Sequence, residues 1–137
     1  MDTVIFACVH AAGRSPMAAA FFNALADRTR ARAIAAGTQP AASIHPEVVQ
    51  VMLEHGIDLG HERPLPLTGD MMREAGLLVT MGCGDACPAV SRATREVWYV
   101  DDPKESVDAV RRVCNDIRCR VLLLIEREGW ARATSAH

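Results

Sequence analysis

The chain has 137 residues, half of them apolar, and its 15 Lys and Arg nearly balance 17 Asp and Glu for a net charge of −2. This length suits one domain over residues 1–137, and the balanced composition is not that of a disordered chain. The charge speaks against a nucleic-acid partner, which usually meets a basic stripe, and no apolar run is long enough to cross a bilayer.

The first predicted element is a strand over Thr3–Ala7, rich in β-branched and aromatic residues. The apolar stretch Val4–Val9 is too short for a secretion signal and follows Asp2 rather than basic residues, so a cytoplasmic location is expected. In that reducing compartment the five cysteines suggest catalysis, redox cycling or metal binding more than permanent disulfides. After a short loop containing Gly13, Met17, Ala20, Phe21 and Leu25 recur at helical spacing and predict a helix over Pro16–Leu25. Ala31–Ala36 reads as a second strand ended by Gly37. His45-Pro46 opens a helix with Val48, Val49, Val51, Met52 and Leu53 on its apolar face, ended by Gly56. The continuous apolar run Gly76–Met81 fits a strand buried on both faces. Val97–Val100 is a further strand. A long helix over Ser106–Arg127 turns Val110, Val113, Ile117, Val121 and Leu124 inward, and the tail after Gly129 reads as loose. Strands alternating with helices predict an α/β domain with a four-stranded parallel sheet flanked by helices.

The segment richest in chemistry is Cys8-Val9-His10-Ala11-Ala12-Gly13-Arg14-Ser15, set between the first strand and the first helix. Ligands of open α/β sheets bind at the carboxyl ends of strands. There the backbone N–H groups of residues 9–14 and a helix N-terminus can converge on an anion. Arg14 can grip two oxygens of a tetrahedral oxyanion at once. The same field favours the thiolate of Cys8, the reactive form, and Ser15 can donate to it. Gly13 is expected to supply positive φ. A plain buried thiol at a strand end is the bland reading of Cys8. Further on, Asp101-Asp102-Pro103 follows the last predicted strand, where an Asp-Pro turn could aim a carboxyl group at the same edge.

A second cysteine-bearing segment, Met81-Gly82-Cys83-Gly84-Asp85-Ala86-Cys87-Pro88, follows the apolar strand directly. Residues four apart share a helix face with Cβ atoms roughly 5–6 Å apart, whereas a disulfide wants about 3.8 Å. Gly82 and Gly84 would make the needed unwinding cheap. Cys114 and Cys119 on the long helix read as core or surface thiols. Trp98 and Tyr99 read as packing, and His10 as a loop residue with its ring outward.

The loop from Cys8 to Ser15 resembles the Cys-x5-Arg-Ser/Thr signature of protein tyrosine phosphatases, and its N-terminal position narrows the likeness to the low-molecular-weight branch. The segment Met81–Pro88 resembles the redox segment of the thioredoxin-coupled arsenate reductases, which share that fold, in particular their actinobacterial-type branch. The resemblance covers nearly the full chain. It implies an arsenate reductase serving arsenic detoxification, with Cys8 as nucleophile, Asp102 as general acid, and a Cys8/Cys83/Cys87 disulfide relay recycled by thioredoxin. No bound cofactor and no metal is implied. Mycothiol or another small thiol is the alternative reductant, and a low-molecular-weight protein tyrosine phosphatase the alternative activity. The aromatic wall such phosphatases place beside the acid is missing here, where Lys104-Glu105 follow Pro103. Some relatives bind potassium near the loop; Ala11, Ala19 and Ala35 stand at the corresponding positions, so no such site is expected.

Overall fold

The computed structural model describes residues 2–82, 94–103 and 106–132. In chain order the elements are β1 (Asp2–Cys8), α1 (Arg14–Leu25), β2 (Ala31–Gly37), α2 (Pro46–Glu54), α3 (Gly69–Glu74), β3 (Leu77–Thr80), β4 (Thr94–Val97) and α4 (Val107–Glu128). The four strands form one sheet in the order β2-β1-β3-β4, and every neighbouring pair is parallel. This is the expected α/β architecture.

β1 lies inside the sheet, and its side chains alternate between two apolar layers, as the period of two in a strand requires. Val4, Phe6 and Cys8 join a large core with Met17, Phe22, Ile117 and Val121, while Ile5 and Ala7 meet Leu78, Leu67 and Met71 on the opposite face. Burial on both faces explains why β1 and β3 read as unbroken apolar runs. α4 is capped as its sequence suggests: the Ser106 side chain accepts from Ala109 N–H at 3.0 Å, and Gly129 ends the helix at φ 74°. All five of its predicted inward residues are buried.

Three elements differ from expectation. The last strand is Thr94–Val97, not Val97–Val100. β3 is only four residues long and its register with β4 stops at Thr80↔Val97, so the ladder ends there. Beyond the ladder Trp98 N–H still donates to the Thr80 carbonyl at 2.9 Å, and residues 98–100 keep an alternating pattern: Trp98 and Val100 are buried and Tyr99 is 85% exposed, so Tyr99 is not the packing residue expected. The short helix α3 was unforeseen, because six residues are too few to show a helical period; Thr68 caps it by accepting from Met71 N–H. The chain after Gly129 is tied down rather than loose, at least to residue 132. Trp130 is buried against Phe22, and its carbonyl accepts from Asp27 N–H at 2.7 Å. Leu53 also lies outside the apolar face of α2, at 54% exposure. Among the described residues no helix is long and apolar enough to cross a membrane.

Candidate active site

The carboxyl ends of β1, β2 and β3 bring three chain segments to one edge of the sheet. β1 ends at Cys8, β2 at Gly37 beside it, and β3 leads through Met81 to Gly82. The loop of residues 9–13 leaves β1 at this edge and turns into α1.

The loop is held from outside through its carbonyl groups. Thr38 N–H donates to the Cys8 carbonyl, Gln39 to Val9, Ala41 to His10, His45 to Ala12 and Met17 to Gly13, at 2.8–3.3 Å. With the carbonyls of Val9, His10, Ala12 and Gly13 engaged in this way, the backbone polar groups these bonds leave over in the loop are its N–H groups and the Ala11 carbonyl. The positive φ expected at Gly13 falls instead on Ala11, at 51°, while Gly13 sits at −140°. A left-handed L-residue costs about 1–2 kcal/mol, and the bonds at His10 and Ala12 on either side hold Ala11 there. The His10 ring turns away from the loop as expected. Its Nδ1 lies 3.1 Å from the Gln39 carbonyl, which can only accept, so Nδ1 carries the proton.

Gly37 is required by this packing. A Cβ at position 37 would lie 2.7 Å from the Val9 carbonyl oxygen and 2.9 Å from Ala11 N. Its neighbours are backbone and cannot swing aside. Gly37→Ala should therefore lower stability by about 1–3 kcal/mol, as overpacking does. Urea unfolding checks it, and wild-type stability would show that the loop tolerates the push.

Inside the loop the Cys8 sulfur lies 3.1 Å from Ser15 Oγ, both groups being buried. Arg14 and Ser15 occupy the first turn of α1, whose N-cap Gly13 offers no side chain to the free N–H groups there. The Arg14 side chain is 11% exposed and the Asp102 side chain 48%, so the arginine lies within the site and the carboxylate at its mouth. Arg14 Nη1 donates to the Val100 carbonyl at 3.3 Å, and Nη2 lies 3.9 Å from Asp102 Oδ2. The segment after β4 thus reaches the Cys8 loop through Arg14. Asp102 also borders a recess of about 350 Å³ that it shares with His10, His45 and Glu47. None of the described residues lining that recess is Phe, Tyr or Trp.

Cys8, Arg14, Ser15, Asp102 and the loop of Val9, His10, Ala11, Ala12 and Gly13 therefore gather at one edge. Cys83 and Cys87 lie outside the described residues, as do Lys104 and Glu105. Ala11, Ala19 and Ala35 line one cavity of about 270 Å³, together with Ile44, Leu59, Asn23, Glu62 and Arg63. Among the described residues no cluster of three or more His, Cys, Asp or Glu is arranged to hold a metal. The other described thiols are remote in character: Cys119 is exposed, and burial pushes the Cys114 thiol up to about 11.

Two contributors escape a reading of sequence alone. One is the Val100 carbonyl, whose role belongs to the backbone and leaves no signature. The other is Gly82, at φ 89°, against which the Arg14 guanidinium packs.

Residues 3–128 match the sequence profile of the low molecular weight phosphotyrosine protein phosphatase family. A putative arsenate reductase from Halobacterium salinarum is 35% identical over 88% of this chain and 89% of its own. The structure of a thioredoxin-dependent arsenate reductase from Corynebacterium glutamicum superposes with a TM-score of 0.81 at 31% identity, covering 93% of this chain. This chain spans 61% of that longer protein. An arsenate reductase solved in its phosphate-binding state gives a TM-score of 0.82 at 27% identity, covering 93% of this chain and 98% of its own.

Proposed function

The chain belongs to the low molecular weight phosphotyrosine protein phosphatase family, and from that premise we propose that it is a cytoplasmic arsenate reductase recycled by thioredoxin. The carrying observation is one juxtaposition. Arg14, which precedes Ser15 of the buried Cys8–Ser15 pair, packs against Gly82, and the chain runs from Gly82 directly into Cys83 and on to Cys87. A hydrolase needs Cys8, Arg14 and Asp102 but has no use for that second pair. The putative arsenate reductase from Halobacterium salinarum and the arsenate reductase in its phosphate-binding state, each matched over 88% or more of both chains, support the same choice.

In the proposed chemistry the N–H groups of residues 9–14 and Arg14 bind the arsenate oxygens. The Cys8 thiolate attacks arsenic, a sulfur–arsenic bond forms, and one oxygen leaves as water after taking a proton from Asp102. The Cys83 thiolate then attacks the Cys8 sulfur. A Cys8–Cys83 disulfide forms, the sulfur–arsenic bond breaks, and its electron pair stays on arsenic, which departs as arsenite. Two thiols becoming one disulfide supply the two electrons that arsenic gains. Cys87 attacks the Cys83 sulfur, freeing the Cys8 thiolate, and the Cys83–Cys87 disulfide is returned to the dithiol by thioredoxin. Ser15 donates to the Cys8 sulfur each time it becomes a thiolate.

Phosphate and sulfate share the tetrahedral shape of arsenate, so either should compete for the loop. In a single turnover without external reductant, reduced protein should release one arsenite per chain, and phosphate should slow that release competitively. Arsenite release that phosphate leaves untouched would place arsenate somewhere other than this loop.

A further inference from the structure

We infer that Gly82 is a positioning residue for Arg14: its lack of a side chain sets where the guanidinium that grips the oxyanion comes to rest. The inference rests on the anion site proposed above, and it assigns a role to a residue outside the loop.

A Cβ built on Gly82 would fall 3.1 Å from both Cζ and Nη2 of Arg14, and closer still to Nη1. The guanidinium therefore occupies the volume a side chain at 82 would fill. Arg14 has little freedom to give way. Only 11% of its side chain is exposed, Nη1 donates to the Val100 carbonyl, and Nη2 faces Asp102. Moving the guanidinium off Gly82 breaks the geometry on the Val100 and Asp102 side. The planar fork of Arg binds a tetrahedral anion in two places only when its orientation is fixed, so a displaced guanidinium loses the second contact.

Gly82 also has φ 89°, where glycine is favoured for backbone reasons alone. Backbone conformation and missing side chain are separate demands, and this chain contains the control that separates them. Gly129 has φ 74°, yet a Cβ there would meet nothing within 4 Å.

The test is the dissociation constant for inorganic phosphate, measured by calorimetry on the full-length reduced protein. Gly82→Ala should weaken phosphate binding at least tenfold. Gly129→Ala, with similar backbone strain, should bind as wild type does. Gly82→Asn should remain as weak as Gly82→Ala, because Asn tolerates positive φ but still carries a Cβ. In an Arg14→Ala background, Gly82→Ala should change the already weakened affinity less than twofold, since the group it acts through is gone. Wild-type affinity in Gly82→Ala, recovery in Gly82→Asn, or a full tenfold loss persisting without Arg14 would each overturn the assignment. So would failure of both position-82 variants to fold, which would make Gly82 a residue of the fold alone. Absence of phosphate binding in the wild type would instead bring down the anion site itself, and this role with it.

Discussion

Cys8→Ser should reduce arsenate reduction to background while leaving the protein folded. Cys8 is the only cysteine in contact with the loop among the described residues, and its sulfur lies 3.1 Å from Ser15 Oγ in a buried setting. A hydroxyl at position 8 is nearly the same size and still has Ser15 as a hydrogen-bond partner, so the core around β1 has no reason to open. A hydroxyl, however, does not ionise near neutral pH and has no stable disulfide chemistry, so both the attack on arsenic and the transfer of electrons stop. Arg14→Lys should lower kcat/KM for arsenate on the order of 10²–10³-fold, the scale for losing one oriented contact to a reacting oxyanion. A lysine ammonium retains the charge but not the fork that holds Val100, Asp102 and the anion together. Thermal unfolding of each variant beside its steady-state kinetics reads both halves. Appreciable reduction by folded Cys8→Ser, or near-normal kinetics in Arg14→Lys, would contradict this assignment.

Cys87→Ser should separate the steps of the relay. Cys8 and Cys83 together hold the two electrons that arsenate needs, so this variant should still release one arsenite per chain. It should then stall with a Cys8–Cys83 disulfide and show no multiple turnover with thioredoxin. Cys83→Ser should stall a step earlier, at the arsenic adduct on Cys8, unless a small thiol completes the exchange. In the proposed relay the third cysteine serves access: Cys8 is 3% exposed beneath its loop, out of reach of a protein reductant. Peptide mapping by mass spectrometry after one turnover distinguishes the trapped states. Full turnover by Cys87→Ser with thioredoxin would remove Cys87 from the mechanism. Rescue of Cys83→Ser by mycothiol, with wild type equally dependent on that thiol, would favour the small-thiol route.

The site was legible in the sequence where chemistry and local order coincide. Cys8, Arg14 and Ser15 lie within one strand–loop–helix passage, so their spacing alone brings them together, and the structure places Cys8 and Ser15 in contact. Asp102 was legible as the carboxylate following a strand, even though that strand ends at Val97 rather than Val100. Sequence does not mark that boundary, because Trp98, Tyr99 and Val100 alternate in burial as strand residues do, and the short partner strand β3 decides where pairing stops. Residue type points to Gly13 for positive φ, but it falls on Ala11, because the carbonyl bonds imposed by residues 41 and 45 fix the loop's path. Gly37 and Gly82 read as a strand end and a flexible hinge. Their closeness to Val9, Ala11 and Arg14 depends on contacts far apart in sequence, which no local pattern encodes. The anchored Trp130 was missed for the same reason, since its partners Phe22 and Asp27 lie at the other end of the chain.

The most direct measurement compares two activities of a single preparation. Consumption of NADPH is followed with thioredoxin and thioredoxin reductase present, before and after arsenate is added, and hydrolysis of an aryl phosphate is followed in parallel. The expected result is sustained arsenate-dependent NADPH consumption that Cys8→Ser and Cys87→Ser abolish, with aryl phosphate hydrolysis at most a minor activity. Efficient aryl phosphate hydrolysis that survives Cys87→Ser, with no arsenate-dependent consumption of NADPH and no arsenite formed with mycothiol, would contradict it.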